Sequence, residues 1–110
     1  MIVSKKENTT IITQENATIT ELVAKLTNKY EGFSNDNIIV NLFSVKKMLP
    51  NAVNDFLLLS KQHKASKHSF VIVSPLVNID EAPAELTIVP TLQEAFDIIE
   101  MEEIERDLGL

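Results

Sequence analysis

The stretch that decides the fold begins with Ile38-Ile39-Val40-Asn41-Leu42-Phe43 and closes with Ser69-Phe70-Val71-Ile72-Val73. Both runs are almost continuously apolar, which is typical of strands that other elements cover on both faces. Between them, Pro50 stands where a proline suits the first turn of a helix, and apolar residues then recur at helical spacing. We therefore predict that a helix over 50–66 packs on two parallel strands, 38–43 and 69–74.

The segments on either side continue the alternation of strands and helices. Two stretches have the capping-box pattern, in which a threonine oxygen accepts a hydrogen bond from a free backbone N–H group. They are Thr18-Ile19-Thr20-Glu21 and Thr91-Leu92-Gln93-Glu94. We predict a hairpin of short strands over 1–7 and 9–14 before the first of these helices, and a short strand over 86–89 before the second.

The whole pattern predicts one α/β domain over residues 1–110. Pro75 and Pro83 argue against a full helix in the segment 75–85, so three helices remain. The alternation of strands and helices implies that most neighbouring strands pair in parallel. We predict a mixed, mostly parallel sheet of four or five strands covered by three helices.

Composition and charge limit the classes of function. The chain has no cysteine, which excludes disulfide bonds and thiolate metal sites. No apolar run is long enough for a signal peptide or a membrane span, so we expect a cytoplasmic protein. Residues 79–110 hold ten acidic residues and one arginine, and such a negative field repels nucleic acid and anionic lipid. We expect neither nucleic acid nor a membrane as a partner.

Candidate catalytic groups are few. With only two glycines in the chain, there can be no glycine-rich loop that cradles a phosphate. The two histidines, His63 and His68, lie among lysines, so we interpret them as surface residues and not as metal ligands. The serines lack a base at the spacing that nucleophilic catalysis needs. We predict that the protein is not an enzyme and has no catalytic residue, no metal site and no cofactor.

From Asn37 onward, the order of elements resembles that of the STAS family, to which the bacterial anti-sigma-factor antagonists belong. Between 38 and 73 the match runs without gaps. The resemblance implies a STAS-like fold and a regulatory function that depends on binding another protein. The matching stretches are Ile38-Ile39-Val40-Asn41-Leu42, Val45, Leu49-Pro50-Asn51-Ala52-Val53, the helix over 54–66, Phe70-Val71-Ile72-Val73 and Thr91-Leu92-Gln93-Glu94-Ala95.

The sequence departs from the family in the loop that carries the family's phosphorylated serine. That serine falls on Pro50, which has no hydroxyl group, and the aspartate before it falls on Leu49. The family's loop glycine falls on Ala52, and its strand-end aspartate falls on Asn41. Pro50 is therefore a degenerate phosphosite position, and the resemblance implies a STAS-like domain without the usual phospho-switch.

Two segments are candidates for partner binding. The first is the basic and apolar loop before the middle helix, which is the docking surface in the STAS family; the alternative is a plain connection. The second is the acidic segment 101–110, which is either a partner-facing helix end or a frayed tail. The candidate residues are Lys46, Lys47, Met48, Leu49 and Asn51 in the loop, and Ile104 and Leu108 in the acidic segment.

We predict a non-catalytic protein–protein interaction module, regulatory in the manner of an anti-sigma-factor antagonist. The alternative is a small ligand-binding or accessory subunit of an enzyme whose site a partner completes. A polar pocket with titratable groups of perturbed pKa would favour the alternative, whereas an exposed apolar patch would favour the interaction module. The sequence does not identify the protein partner and does not show whether the chain forms a homodimer.

Overall fold

In the part of the chain that the structure describes, five strands form one sheet in the order in which they occur along the chain. The computed structural model describes residues 1–15, 18–49 and 51–109. β1 is antiparallel to β2, and every other pair of neighbours is parallel. This confirms the predicted mixed, mostly parallel sheet and the parallel pairing of 38–43 with 69–74. The strands are β1 (Ile2–Lys6), β2 (Thr9–Thr13), β3 (Asn37–Asn41), β4 (Phe70–Val73) and β5 (Thr87–Val89).

Among the described residues, three α-helices accompany the sheet, as predicted: α1 (Ile19–Lys29), α2 (Leu57–Ala65) and α3 (Leu92–Asp107). The helix predicted over 50–66 is divided, because residues Ala52–Phe56 form a 3-10 turn before α2 begins. Tight turns of this kind are common at helix starts, where the first backbone N–H groups lack partners four residues back. The predicted start of this helix at Pro50 lies outside the described residues.

Both predicted helix caps are present. The Thr18 side-chain oxygen accepts a hydrogen bond from the Glu21 backbone N–H at 3.2 Å, and α1 follows. The Thr91 side-chain oxygen accepts one from the Glu94 N–H, also at 3.2 Å, and α3 follows. The connection between β4 and β5 contains no helix, as its two prolines predicted.

Alternate residues of the central strands face opposite layers of the core. Ile38, Val40 and Phe70 belong to the larger layer, which lies beneath α1 and α2. Ile39 and Val71 belong to the smaller layer, which α3 covers with Ala95 and Ile99. Because both faces of β3 and β4 are covered, these strands read as continuous apolar runs in the sequence. The loops after β3 and β4 begin at the carboxyl end of the sheet, which is where sites usually lie in open α/β sheets.

Candidate docking surface

The loop after β3 leaves the sheet at the carboxyl ends of the parallel strands, the usual position for sites in open α/β sheets. We call residues 42–51 the β3 loop. Its first turn is fixed by Asn41, whose side-chain oxygen accepts a hydrogen bond from the Phe43 N–H at 3.1 Å. The Val45 N–H then donates to the Leu42 carbonyl at 3.0 Å, and both of these side chains are buried. The loop is therefore anchored at its start.

The candidate residues of the β3 loop differ in exposure. Lys46, Lys47 and Asn51 are exposed, and Leu49 is 75% exposed. Met48 is partly buried and packs against the larger layer of the core. The sequence grouped Met48 with Leu49 as a partner-facing residue, but the structure gives Met48 a share in folding as well. Pro50, the degenerate phosphosite position, lies outside the described residues.

Two hollows flank Met48 and Leu49. The first has a volume of about 390 Å³ and lies between the β3 loop, the start of α1 and the 3-10 turn. The second has a volume of about 220 Å³ and lies against the connection from β4 to β5, with Leu76 in its wall. Met48 and Leu49 line both hollows, so they form a ridge between them. An exposed apolar ridge between two hollows is a surface that a partner protein can bind.

The structure adds two exposed apolar residues that were not among the candidates for partner binding. Phe43, at the start of the β3 loop, is 56% exposed, and Leu76, in the second hollow, is 50% exposed. Phe43 ends an apolar strand, so its position in the pattern predicted burial. Leu76 follows a proline in the irregular segment, where periodicity gives no signal. Their exposure enlarges the apolar surface at the carboxyl end of the sheet.

Among the described residues, no acidic side chain forms an ion pair with the lysines of the β3 loop. The one ion pair among the described residues joins Lys5 and Asp36, at 3.3 Å. Asp55, which lines the first hollow, accepts a hydrogen bond from the Thr20 hydroxyl at 3.1 Å. Lys46 and Lys47 thus offer two exposed positive charges beside the Leu49 side chain.

The acidic segment at the chain end is helical through Asp107, where α3 ends. Ile104 is 53% exposed and Leu108 is 68% exposed, which places both candidate residues on the surface. The Arg106 guanidinium holds this end of α3 to the sheet by donating to the Ser69 hydroxyl and the Asn37 side-chain oxygen, at 3.3 and 3.4 Å. The structure separates this candidate from the β3 loop, because Asn37 and Ser69 mark the amino ends of β3 and β4.

His63 is buried, so the interpretation of both histidines as surface residues is wrong for this one. Its Nε2 contacts the Asp36 carbonyl at 2.7 Å and its Nδ1 contacts the Tyr30 hydroxyl at 2.6 Å. His68 stacks on it, with 5.3 Å between ring centroids. Burial is the main cause that lowers the pKa of His63, and the nearby His68 acts in the same direction. The spacing of five residues concealed this contact, because His68 lies beyond the end of α2.

The described residues contain no group of three histidine or acidic side chains placed to hold a metal ion. No helix in this part of the chain is long and apolar enough to cross a membrane. His63 lines neither hollow beside the β3 loop. The surface at the carboxyl end of the sheet combines lysines, apolar side chains and hollows.

Comparison with solved structures finds a chain from a study described as "Molecular architecture of the stressosome, a signal integration and transduction hub". The two folds superpose with a TM-score of 0.61, over 90% of this chain and 96% of that chain, at 12% sequence identity. No family model and no curated protein matches the sequence. The likeness supports the resemblance in element order, and the protein has a STAS-like fold. At this identity the likeness shows the fold alone.

Proposed function

We propose that the protein is a non-catalytic interaction module that binds a partner protein through the β3 loop, in a regulatory or scaffolding role. The observation that carries this proposal is the Leu49 side chain, 75% exposed on a ridge between two hollows. Lys46 and Lys47, which form no ion pair within the described part of the chain, lie beside it. Apolar anchors surrounded by charge are the usual composition of a binding surface.

Further support comes from the structural neighbour, whose description names a signal integration and transduction hub. A STAS-like domain in a related role would bind other proteins and would not transform a substrate. Because proline has no hydroxyl group, we propose that Pro50 removes the phosphorylation step at the family's usual position. A cytoplasmic location, as the sequence led us to expect, remains part of this proposal.

The alternative is a ligand-binding or accessory subunit, and the first hollow is the observation that favours it. Its volume of about 390 Å³ is within the range of small-molecule sites, roughly 300–1,000 Å³. Thr18, Asn51 and Asp55 give its wall some polar groups. The interaction module is better supported, because Phe43, Leu49 and Leu76 are exposed apolar residues at the same end of the sheet.

A charge reversal tests the proposal. Lys46→Glu with Lys47→Glu changes the charge of the β3 loop by four units, and Lys25→Glu with Lys29→Glu makes the same change on α1. All four lysines are exposed, so both variants should fold normally. Affinity capture from the native cell, read by quantitative mass spectrometry, should recover a protein with the wild-type chain and the α1 variant but not with the loop variant. Recovery by all three chains would show that the β3 loop is not the docking site.

A further inference from the structure

α3 carries apolar residues on two opposite faces. Ala95 and Ile99 are buried against the sheet. Met101, Ile104 and Leu108, which we call the outer stripe, follow one another at spacings of three and four residues and so share one face. Their exposed fractions are 52%, 53% and 68%. A solvated helix normally carries polar residues on the face away from the core, whereas the outer stripe is an apolar surface that no other described part of the chain covers.

The outer stripe is held in a fixed position on the molecule. Arg106, between Ile104 and Leu108, donates hydrogen bonds to Ser69 and Asn37 at the amino ends of β4 and β3. The Asn8 side-chain amide donates to Glu103 at 2.6 Å, which ties the same helical turn to the β1–β2 hairpin. A prepositioned apolar stripe loses little conformational freedom when a partner covers it.

The charge around the outer stripe selects its partner. Asp97 and Glu105 stand four residues to either side of Met101 and are exposed, so they border the same face. The single basic residue of α3, Arg106, is turned toward the sheet. Contact between the outer stripes of two copies would set acidic residues against acidic residues, which opposes association. The surface that fits the outer stripe is therefore apolar and basic.

The β3 loop of this chain has that chemistry. Lys46 and Lys47 supply the positive charge, and Leu49 and the hollow beside it supply the apolar contact. The two surfaces lie at opposite ends of the sheet, because the outer stripe is tied to the amino ends of β3 and β4 while the β3 loop leaves their carboxyl ends. Within one chain they cannot meet, but between two copies they can.

We propose that the outer stripe of one copy docks on the β3 loop of a second copy. This inference rests on the proposed function, since it names a partner for the same loop. Because the two surfaces differ, the contact is heterologous, and each copy keeps one free surface of each kind. Such a contact builds rings or open chains that grow with protein concentration and weaken with added salt.

Two variants with one surface changed in each give the sharpest test. The loop variant is Lys46→Glu with Lys47→Glu, and the stripe variant is Ile104→Ser with Leu108→Ser. All four side chains are exposed, so circular dichroism and thermal melting should stay near wild type. Each variant alone should lose at least about tenfold in self-association, measured by sedimentation velocity over a concentration series.

A mixture of the two variants decides the geometry. The intact outer stripe of the loop variant can dock on the intact β3 loop of the stripe variant, and the dimer so formed cannot grow. The expected result is a one-to-one dimer in the mixture, monomers in each variant alone, and larger species in the wild type. Lys25→Glu with Lys29→Glu should assemble like the wild type.

Two results would overturn the inference. A wild-type chain that stays monomeric up to about 1 mM does not form the contact at a useful affinity. Variants that each dimerise alone, with no new species on mixing, would indicate a symmetric contact elsewhere. The two proposals can be told apart: if the wild type is monomeric but the loop variant loses a different protein partner, the β3 loop still docks a partner and only the second copy is excluded.

Discussion

Leu49→Ala is expected to leave folding almost unchanged and to weaken partner binding. Leu49 is 75% exposed, so folding buries about a quarter of the residue's surface. Because full burial of a leucine side chain contributes about 1.5–3 kcal/mol, truncation costs the folded chain at most about 0.4–0.8 kcal/mol. A partner that covers the remainder gains about 1–2 kcal/mol from Leu49, so its loss should raise Kd about 5–30-fold.

The matched control for this variant is Leu58→Ala. Leu58 is 77% exposed and lines neither hollow beside the β3 loop. Urea unfolding followed by circular dichroism gives the free energy of unfolding, and titration calorimetry with the captured partner gives Kd. Met48→Ala is a poorer probe, because Met48 packs against the core and its truncation changes both quantities. The reasoning is refuted if Leu58→Ala raises Kd while Leu49→Ala does not, or if Leu49→Ala costs more than about 2 kcal/mol of folding.

Further predictions address charge, tethering, pH and phosphorylation. Lys46→Glu with Lys47→Glu should slow association and reduce its salt dependence in stopped-flow binding, with a smaller effect on dissociation; an unchanged on-rate would contradict this. Arg106→Ala should cost about 1–2 kcal/mol in urea unfolding, because Arg106 ties α3 to two strands; no loss would mean that the tether is unimportant. Burial holds the folded-state pKa of His63 below its ordinary value of 6.5. The unfolded chain therefore binds more protons below about pH 6.5, so the free energy of unfolding should keep its full value above that pH and decrease as the pH falls. In His63→Gln, the free energy of unfolding should depend less on pH between 7.5 and 5.5. A serine kinase of the family's cognate type should leave residues 44–54 unmodified in peptide mass mapping, whereas phosphate on Ser44 would show that the switch has moved.

The fold was predictable from the sequence because its central unit is covered on both sides. β3 and β4 bury both faces, so the apolar runs at Ile38 and Phe70 stand out without any need for periodicity. The caps at Thr18 and Thr91 are local hydrogen bonds, and local sequence is enough to predict them. The division of the middle helix was missed, because apolar spacing does not distinguish a 3-10 turn from the first turn of an α-helix.

The candidate site was predictable in position but not in detail. The resemblance placed a docking loop after β3, yet only tertiary structure shows that Met48 turns toward the core while Leu49 does not. The burial of His63 depends on Tyr30 and on the Asp36 carbonyl, which are far away in the sequence. Tyr30 lies in the turn that follows α1, and Asp36 lies just before β3, so these contacts form only when α2 packs on the sheet and no spacing within one segment predicts them.

The central claim is that a partner covers the β3 loop, and hydrogen–deuterium exchange of the partner-bound chain tests it most directly. Among the described residues, no hydrogen bond is donated by the backbone N–H groups of residues 46–49, so these amides should exchange fast in the free chain. Our account predicts strong protection of peptides covering 45–52 when the partner binds, and weaker protection around Leu76. Unchanged exchange in the β3 loop, with protection confined to β1 or to the outer faces of α1 and α2, would contradict the account.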